Sequence, residues 1–284
     1  MGYVSAVYFS NWSVYEAKHF ANNLPVNKVS HVFYAFMKID AKSGSVSLSD
    51  QWADTQLPMQ DGLKGSLSVL YALKKKNRSL KVVMSIGGWG THDAFVGVMK
   101  KSYRIKNFVS TAISLVKKYK FDGIDIDWEY PGNSKEAMQM VHLLSMLRES
   151  LTAISPDLIL TVAAPAIPDK ISKLLVADMD RYLTFWNIMC YDFSGEAWST
   201  LTGYHSNLFG ANGANELNGD EAIEKYISMG LSRTNWYSAC QCMDVVSADQ
   251  WRLARELASA QGRHLRKASW ITGRLIARRK STTK

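Results

Sequence analysis

Six short apolar runs, rich in β-branched and aromatic residues, recur between residues 4 and 192 and limit the possible folds more than any other feature. They are "VSAVYFS" (4–10), "VSHVFYAF" (29–36), "LKVVMSIGG" (80–88), "FDGIDIDW" (121–128), "LILTVAA" (158–164) and "LTFWNIMCYD" (183–192). Between them lie segments such as "LSVLYALKKK" (67–76), "IKNFVSTAISLVKKY" (105–119) and "AMQMVHLLSMLRESLTAI" (137–154), with apolar residues three or four apart and Lys and Arg on the other face. Strands alternating with helices imply parallel strands joined by right-handed crossovers.

That pattern leaves two α/β architectures, a doubly wound sheet and a TIM (β/α)8-type barrel. Polar residues gather at the C-terminal ends of the runs: Asn11 and Trp12, Ser85 to Trp89, Asp125 to Glu129, Tyr191 and Asp192. A barrel collects all such ends around one mouth. No Gly-rich phosphate loop follows the first run, which counts against a nucleotide-binding fold. The expectation is a barrel with six recognisable strands, hence an incomplete one.

At 47% hydrophobic content, 284 residues are enough for a sizeable core. The net charge of +9 is lopsided: residues 236–284 hold ten Lys and Arg against three Asp and Glu, a net of +7, which leaves +2 for residues 1–235. The basic signal belongs to the tail, where no groove-reading motif accompanies it, so nucleic acid is not expected as a partner. No apolar stretch is long enough to cross a membrane, and no membrane partner is expected. The N-terminus "MGYVSAVYFSNW" lacks the features of a signal peptide, so the chain as written is expected in the cytoplasm. Cys190, Cys240 and Cys242 form no paired framework and no zinc spacing.

The run "FDGIDIDWEY" (121–130) concentrates the chemistry. Side chains alternate along a strand, so Asp125, Asp127 and Glu129 share one face while Ile124, Ile126 and Trp128 share the other. Asp122 falls out of phase and is expected to shape the start of the strand. Same-face neighbours lie about 6 to 7 Å apart, so the three carboxyls cannot all ionise without mutual cost. At least one pKa must rise, which suits a general acid, and Glu129 reaches furthest outward. A solvated acidic edge strand conflicts with Phe121, Ile124, Ile126 and Trp128, and a hard-cation site lacks a carbonyl-rich and Asn-rich loop.

This stretch resembles the DxxDxDxE motif of glycoside hydrolase family 18, the chitinases. Three companions occur in order: "VYFSNW", "VVMSIGGWG" with Ser85, Gly87 and Gly88, and "IMCYDFSG" with Met189, Tyr191 and Asp192. The resemblance covers residues 3–233. It implies a retaining, substrate-assisted hydrolase of β-1,4-linked N-acetylglucosamine polymers, chitin or its oligosaccharides. Glu129 would protonate the glycosidic oxygen, and the substrate's acetamido carbonyl would attack the anomeric carbon. Asp127 would hold the acetamido N–H, Asp125 would share a proton with it, and Tyr191 would position the acetamido oxygen. Tyr8 and Ser85 would support the aspartates, while Gly88, Tyr130, Met189 and Asp192 would line the substrate site. That chemistry calls for no cofactor and no metal. A monomer is expected, extracellular if the natural start lies upstream.

Sugars present apolar faces that stack on aromatic rings. Trp12, Trp89 and Trp198 follow strand ends and match platform positions of the family, Trp12 on the non-reducing side and the other two on the reducing side. Trp128 and Trp186 are core candidates. His31, His92, His142 and His205 show no ligand spacing and receive no role.

After residue 235 the family pattern stops, and the chain divides into a partial catalytic barrel (1–235) and a basic, non-homologous tail (236–284). Codons permitted for Asn235 through Trp251, read from the third base of the Asn codon, can spell Leu-Val-Leu-Gly-Met-Pro-Met-Tyr-Gly-Arg-Ser-Phe, which resembles the family's seventh strand. A shifted reading frame is therefore expected over the tail. Two rivals to the hydrolase stand beside it: a non-hydrolytic chitin-binding protein, disfavoured by the presence of Glu129, and an inactive truncated fragment.

Overall fold

The computed structural model describes residues 5–195, 198–200, 202–210, 217–232 and 236–239. Every one of the six apolar runs forms a strand: β1 (Ala6–Ser10), β2 (His31–Ile39), β4 (Lys81–Gly87), β5 (Gly123–Asp127), β6 (Ile159–Pro165) and β7 (Phe185–Met189). Between β2 and β4 come a short strand, β3 (Val46–Leu48), antiparallel to β2, and the helix α1 (Gly65–Lys76). The remaining crossovers carry α2 (His92–Met99), α3 (Ser102–Tyr119), α4 (Ser134–Thr152), α5 (Pro168–Ile171), α6 (Val176–Asp180) and α7 (Gly219–Ser228).

The parallel strands pair in the order β1-β2-β4-β5-β6-β7-β8, where β8 spans Trp236–Ala239. β8 corrects the count of six strands: a seventh parallel strand lies within the segment set apart as a tail, paired to β7 from Trp186 to Met189. The sheet curls as a TIM barrel does, and among the described residues β1 and β8 stand at its two ends. The rest of the tail, with the helical spacing over 247–266 and the shifted-frame string, lies outside the described residues.

Alternation along the strands separates two apolar regions. Residues such as Met84, Ile86, Ile124, Ile126, Leu160 and Ile188 face outward and pack on the helices, joined by Phe108, Val109 and Ala112 of α3 and Leu143, Leu144 and Leu147 of α4. Phe33, Val83, Ile159 and Phe185 face inward and fill the lower interior, with Ala6 and Tyr8 against them. Above that apolar plug the inward positions turn polar, with Ser85, Asp125 and Thr161 at one level of the register.

Local signals set the helix ends. Asn133 accepts the Glu136 N–H at 3.0 Å and caps α4, and Asn218 does the same for α7 through Glu221 at 2.9 Å. α3 stops at Lys120, which adopts the left-handed conformation (φ 59°). Asp122 sits where its phase predicted: its Oδ2 accepts the Val82 N–H at 2.7 Å and pairs with Lys74 Nζ at 2.6 Å, tying the start of β5 to β4 and α1. At the same end, Arg148 from α4 donates Nε to the Tyr182 carbonyl (2.7 Å), Nη1 to the Leu158 carbonyl (2.8 Å) and Nη2 to Thr184 Oγ1 (2.9 Å).

Candidate active site

Asp125 stands at the centre of the upper barrel, fully buried and surrounded by donors. Tyr8 Oη (3.0 Å) and Ser85 Oγ (2.7 Å) donate to its Oδ2, and Thr161 Oγ1 (2.6 Å) and Asn187 Nδ2 (3.4 Å) donate to its Oδ1. Burial raises its pKa and those four hydrogen bonds oppose the rise, so the carboxylate form has partners for both oxygens.

Asp127, one step up the same face, has the opposite surroundings. It is buried, and its Oδ1 has no hydrogen-bond partner among the described residues. Burial first, then the charges of Glu129 and Asp125, push its pKa well above the carboxylate range. Two carboxyls on one strand thus meet unequal surroundings: burial raises both, but only Asp125 has hydrogen-bond donors opposing the rise.

Glu129 lies two residues beyond the end of β5, so the expected continuation of the strand through it is corrected: the ladder stops at Asp127. Its side chain is half-buried at the barrel mouth. Burial and the charge of Asp192 raise its pKa, against a hydrogen bond from Tyr130 that lowers it. Gly87 and Gly88 make room for the strand end beside it. Gly87 has φ 122°, and a Cβ there would sit 2.1 Å from the Asp127 carbonyl oxygen, which itself accepts the Gly88 N–H at 2.9 Å.

Tyr191 borders the carboxyls from the end of β7. Burial, followed by the charges of Asp127 and Glu129, holds its hydroxyl far above the usual phenol range. Tyr130 is raised by burial and by Glu129. Met189 is buried as the last residue of β7, and Asp192, exposed and left-handed at φ 57°, pairs with His205 Nδ1 at 3.4 Å. The three tryptophans expected as platforms are exposed: Trp12 by 47%, Trp89 by 84% and Trp198 by 60%. Trp12 stacks on Phe36 (5.9 Å between centroids), and Trp198 Nε1 donates to the Asp192 carbonyl at 3.2 Å. Trp128 and Trp186 are buried, as their positions in the runs suggested.

The structure thus brings Tyr8, Ser85, Asp125, Asp127, Glu129, Tyr130 and Tyr191 together. Sequence reasoning missed Thr161 and Asn187, which complete the shell of Asp125. Each is a lone polar residue on the inward phase of an otherwise apolar run, a signal that becomes legible once the strand register is known. Among the described residues, no three His, Cys, Asp or Glu form a group that could hold a metal ion. Nor is any helix among them long and apolar enough to cross a membrane.

Comparison with known proteins agrees with this geometry. Endochitinase 1 of Metarhizium robertsii is 36% identical over 247 residues, covering 81% of this chain and 58% of that protein. Sporulation-specific chitinase 2 of Saccharomyces cerevisiae is 34% identical over 259 residues, covering 79% and 50%. The chain therefore spans about half the length of the relatives it matches. A Bacillus thuringiensis chitinase superposes with a TM-score of 0.78 at 22% identity, over 84% of this chain and 48% of that one, which shows the shared barrel fold. The family model for glycosyl hydrolases family 18 matches residues 4–240, from β1 through β8, and the chain belongs to that family.

Proposed function

We propose that this site hydrolyses β-1,4-linked N-acetylglucosamine polymers with retention of configuration, using the substrate's acetamido group as the nucleophile. The observation that carries the reading is the unequal surroundings of three neighbouring carboxyls: Asp125 saturated with donors, Asp127 buried with a free oxygen, and Glu129 half-buried at the mouth. Glu129 gives its proton to the leaving glycosidic oxygen. The free Oδ1 of Asp127 accepts the acetamido N–H, and Tyr191 donates to the acetamido oxygen, aligning it on the anomeric carbon. Proximity supplies the nucleophile, so the protein needs one acid and a set of orienting groups. Tyr8, Ser85, Thr161 and Asn187 fix Asp125 below the reacting centre. Trp12, Trp89 and Trp198 are the stacking platforms, with Gly88, Tyr130, Met189 and Asp192 lining the site. The proposed catalytic unit is residues 1–235, with 236–284 a basic segment from which β8 joins the sheet.

The test is Glu129→Gln, which keeps the shape and removes the proton. Turnover of chitotetraose should fall about 10²- to 10⁴-fold while binding, measured by calorimetry, is retained. Undiminished turnover would overturn the reading. Binding by the parent without turnover would favour a chitin-binding role, which the three exposed tryptophans alone could support.

A further inference from the structure

The turn that carries Glu129 is held on both sides, by His92 through Trp128 before it and by Glu136 through Gly132 after it. On the N-terminal side Trp128 is buried, its ring stacked on Phe95 with centroids 5.1 Å apart and planes 8° from parallel. Its indole Nε1–H donates to His92 Nδ1 at 3.2 Å. An indole nitrogen can only donate, so Nδ1 is the acceptor and the proton of the neutral imidazole sits on Nε2. Nε2 faces Glu136 Oε2 at 4.0 Å. On the C-terminal side that same Oε2 accepts the Gly132 N–H at 2.7 Å, while Oε1 accepts from Asn133 Nδ2 at 2.7 Å. Glu136 is in turn fixed in the first turn of α4, where its own N–H donates to Asn133 Oδ1.

The arrangement fills a gap in the fold. β5 ends at Asp127, so no strand ladder fixes the backbone of Glu129. A general acid nevertheless has to sit within hydrogen-bond reach of the oxygen it protonates. α2 contributes both surfaces that hold Trp128: Phe95 under its face and His92 at its edge, three residues apart on one side of the helix.

We infer that His92 and Glu136 are positioning residues for Glu129, holding Trp128 and Gly132 so that the carboxyl between them meets the glycosidic oxygen. The inference rests on the proposed role of Glu129 as the acid. Neither residue touches substrate; both act through the turn.

The test compares two substrates. Chitotetraose has a sugar leaving group that needs protonation, whereas 2,4-dinitrophenyl chitobioside has one that departs without it. His92→Phe keeps a ring against Trp128 but offers no acceptor, and His92→Asn returns an acceptor oxygen near the Nδ1 position. His92→Phe should lower kcat on chitotetraose about tenfold to a hundredfold at unchanged KM, and stay within about twofold of the parent on the dinitrophenyl substrate. His92→Asn should recover most of the loss. Equal loss on both substrates, or none on either, overturns the inference.

Glu129→Gln on the same pair keeps the two claims apart. If it retains chitotetraose turnover, the acid assignment fails. If it abolishes that turnover and His92→Phe matches the parent, only the positioning claim fails. A readout independent of turnover is hydrogen exchange of the Trp128 indole proton, assigned by its loss in Trp128→Phe. Exchange should be slow in the parent and in His92→Asn and faster in His92→Phe; the same rate in all three overturns the tie.

Discussion

Asn187 on β7 donates to the hydroxyl of Tyr8 on β1 at 3.1 Å, so side chains join two flanks of a sheet whose end strands are not paired to each other among the described residues. The same hydroxyl donates to Asp125. Tyr8→Phe keeps the ring stack on Phe33, 4.8 Å between centroids, and removes only the hydroxyl. The loss leaves a buried donor half-satisfied, and the expected cost is about 1–3 kcal/mol. Urea unfolding should show a lower midpoint at an unchanged slope. An unmoved midpoint would mean that this chain of hydrogen bonds contributes nothing to folding.

Asp127→Asn should stabilise the protein while stopping turnover. The native pKa of Asp127 lies above its unfolded value of about 3.9. Between the two values the folded state holds a proton that the unfolded state has lost, so this group makes stability fall as pH rises, by up to about 1.4 kcal/mol per unit. Below the unfolded pKa both states are protonated and the contribution is flat. Melting temperatures of parent and variant should therefore diverge in favour of Asn as pH climbs from about 4 toward 7. Parallel curves would assign the proton elsewhere.

The alkaline limb of kcat/KM should report Glu129, which must be protonated to act. Asp192 raises that pKa through its charge, so Asp192→Asn should move the limb to lower pH. Asp192 is exposed, so the displacement should stay below about one unit and shrink further in high salt. A limb that moves upward, or ignores salt, would point to another titrating group.

Trp89 is the most exposed large apolar side chain described, so Trp89→Ala should change stability by less than about 0.5 kcal/mol. Loss of one stacking face should weaken binding of long oligosaccharides roughly threefold to tenfold and leave short ones nearly unaffected. The comparison is KM for a hexasaccharide against KM for a disaccharide glycoside. Equal effects on both would remove Trp89 from the platform set.

The coding sequence across Asn235 to Trp251 supplies a test that needs no protein. Sequencing of the transcript should find codons that spell the family-like strand in the shifted frame. Codons incompatible with that string would refute the frameshift and leave β8 (Trp236–Ala239) as a native strand of the sheet.

Much of this was legible from side-chain phase. Asp125 and Asp127 share one inward face because strands alternate, and Asp122, one step out of phase, ends on Lys74 and the Val82 N–H. Within the site, two things were not legible. Crowding predicts that one carboxyl keeps its proton but not which. That depended on Thr161 and Asn187, whose strands had to be placed beside β5 before their donors could be counted. The extent of β5 was the other: the phase of Glu129 fits a strand, yet the hydrogen-bond ladder ends at Asp127, and His92, alone in sequence, meets Trp128 only through the packing of α2. β8 escaped because four residues of a basic segment carry no alternation long enough to read.

Arg148 spreads one guanidinium over acceptors from the segments leading into β6 and β7, at the end of the barrel opposite the carboxyls. A lysine could not reproduce that fork. One side chain thus anchors the starts of two neighbouring strands to α4, and shortening it would leave both without their shared clasp.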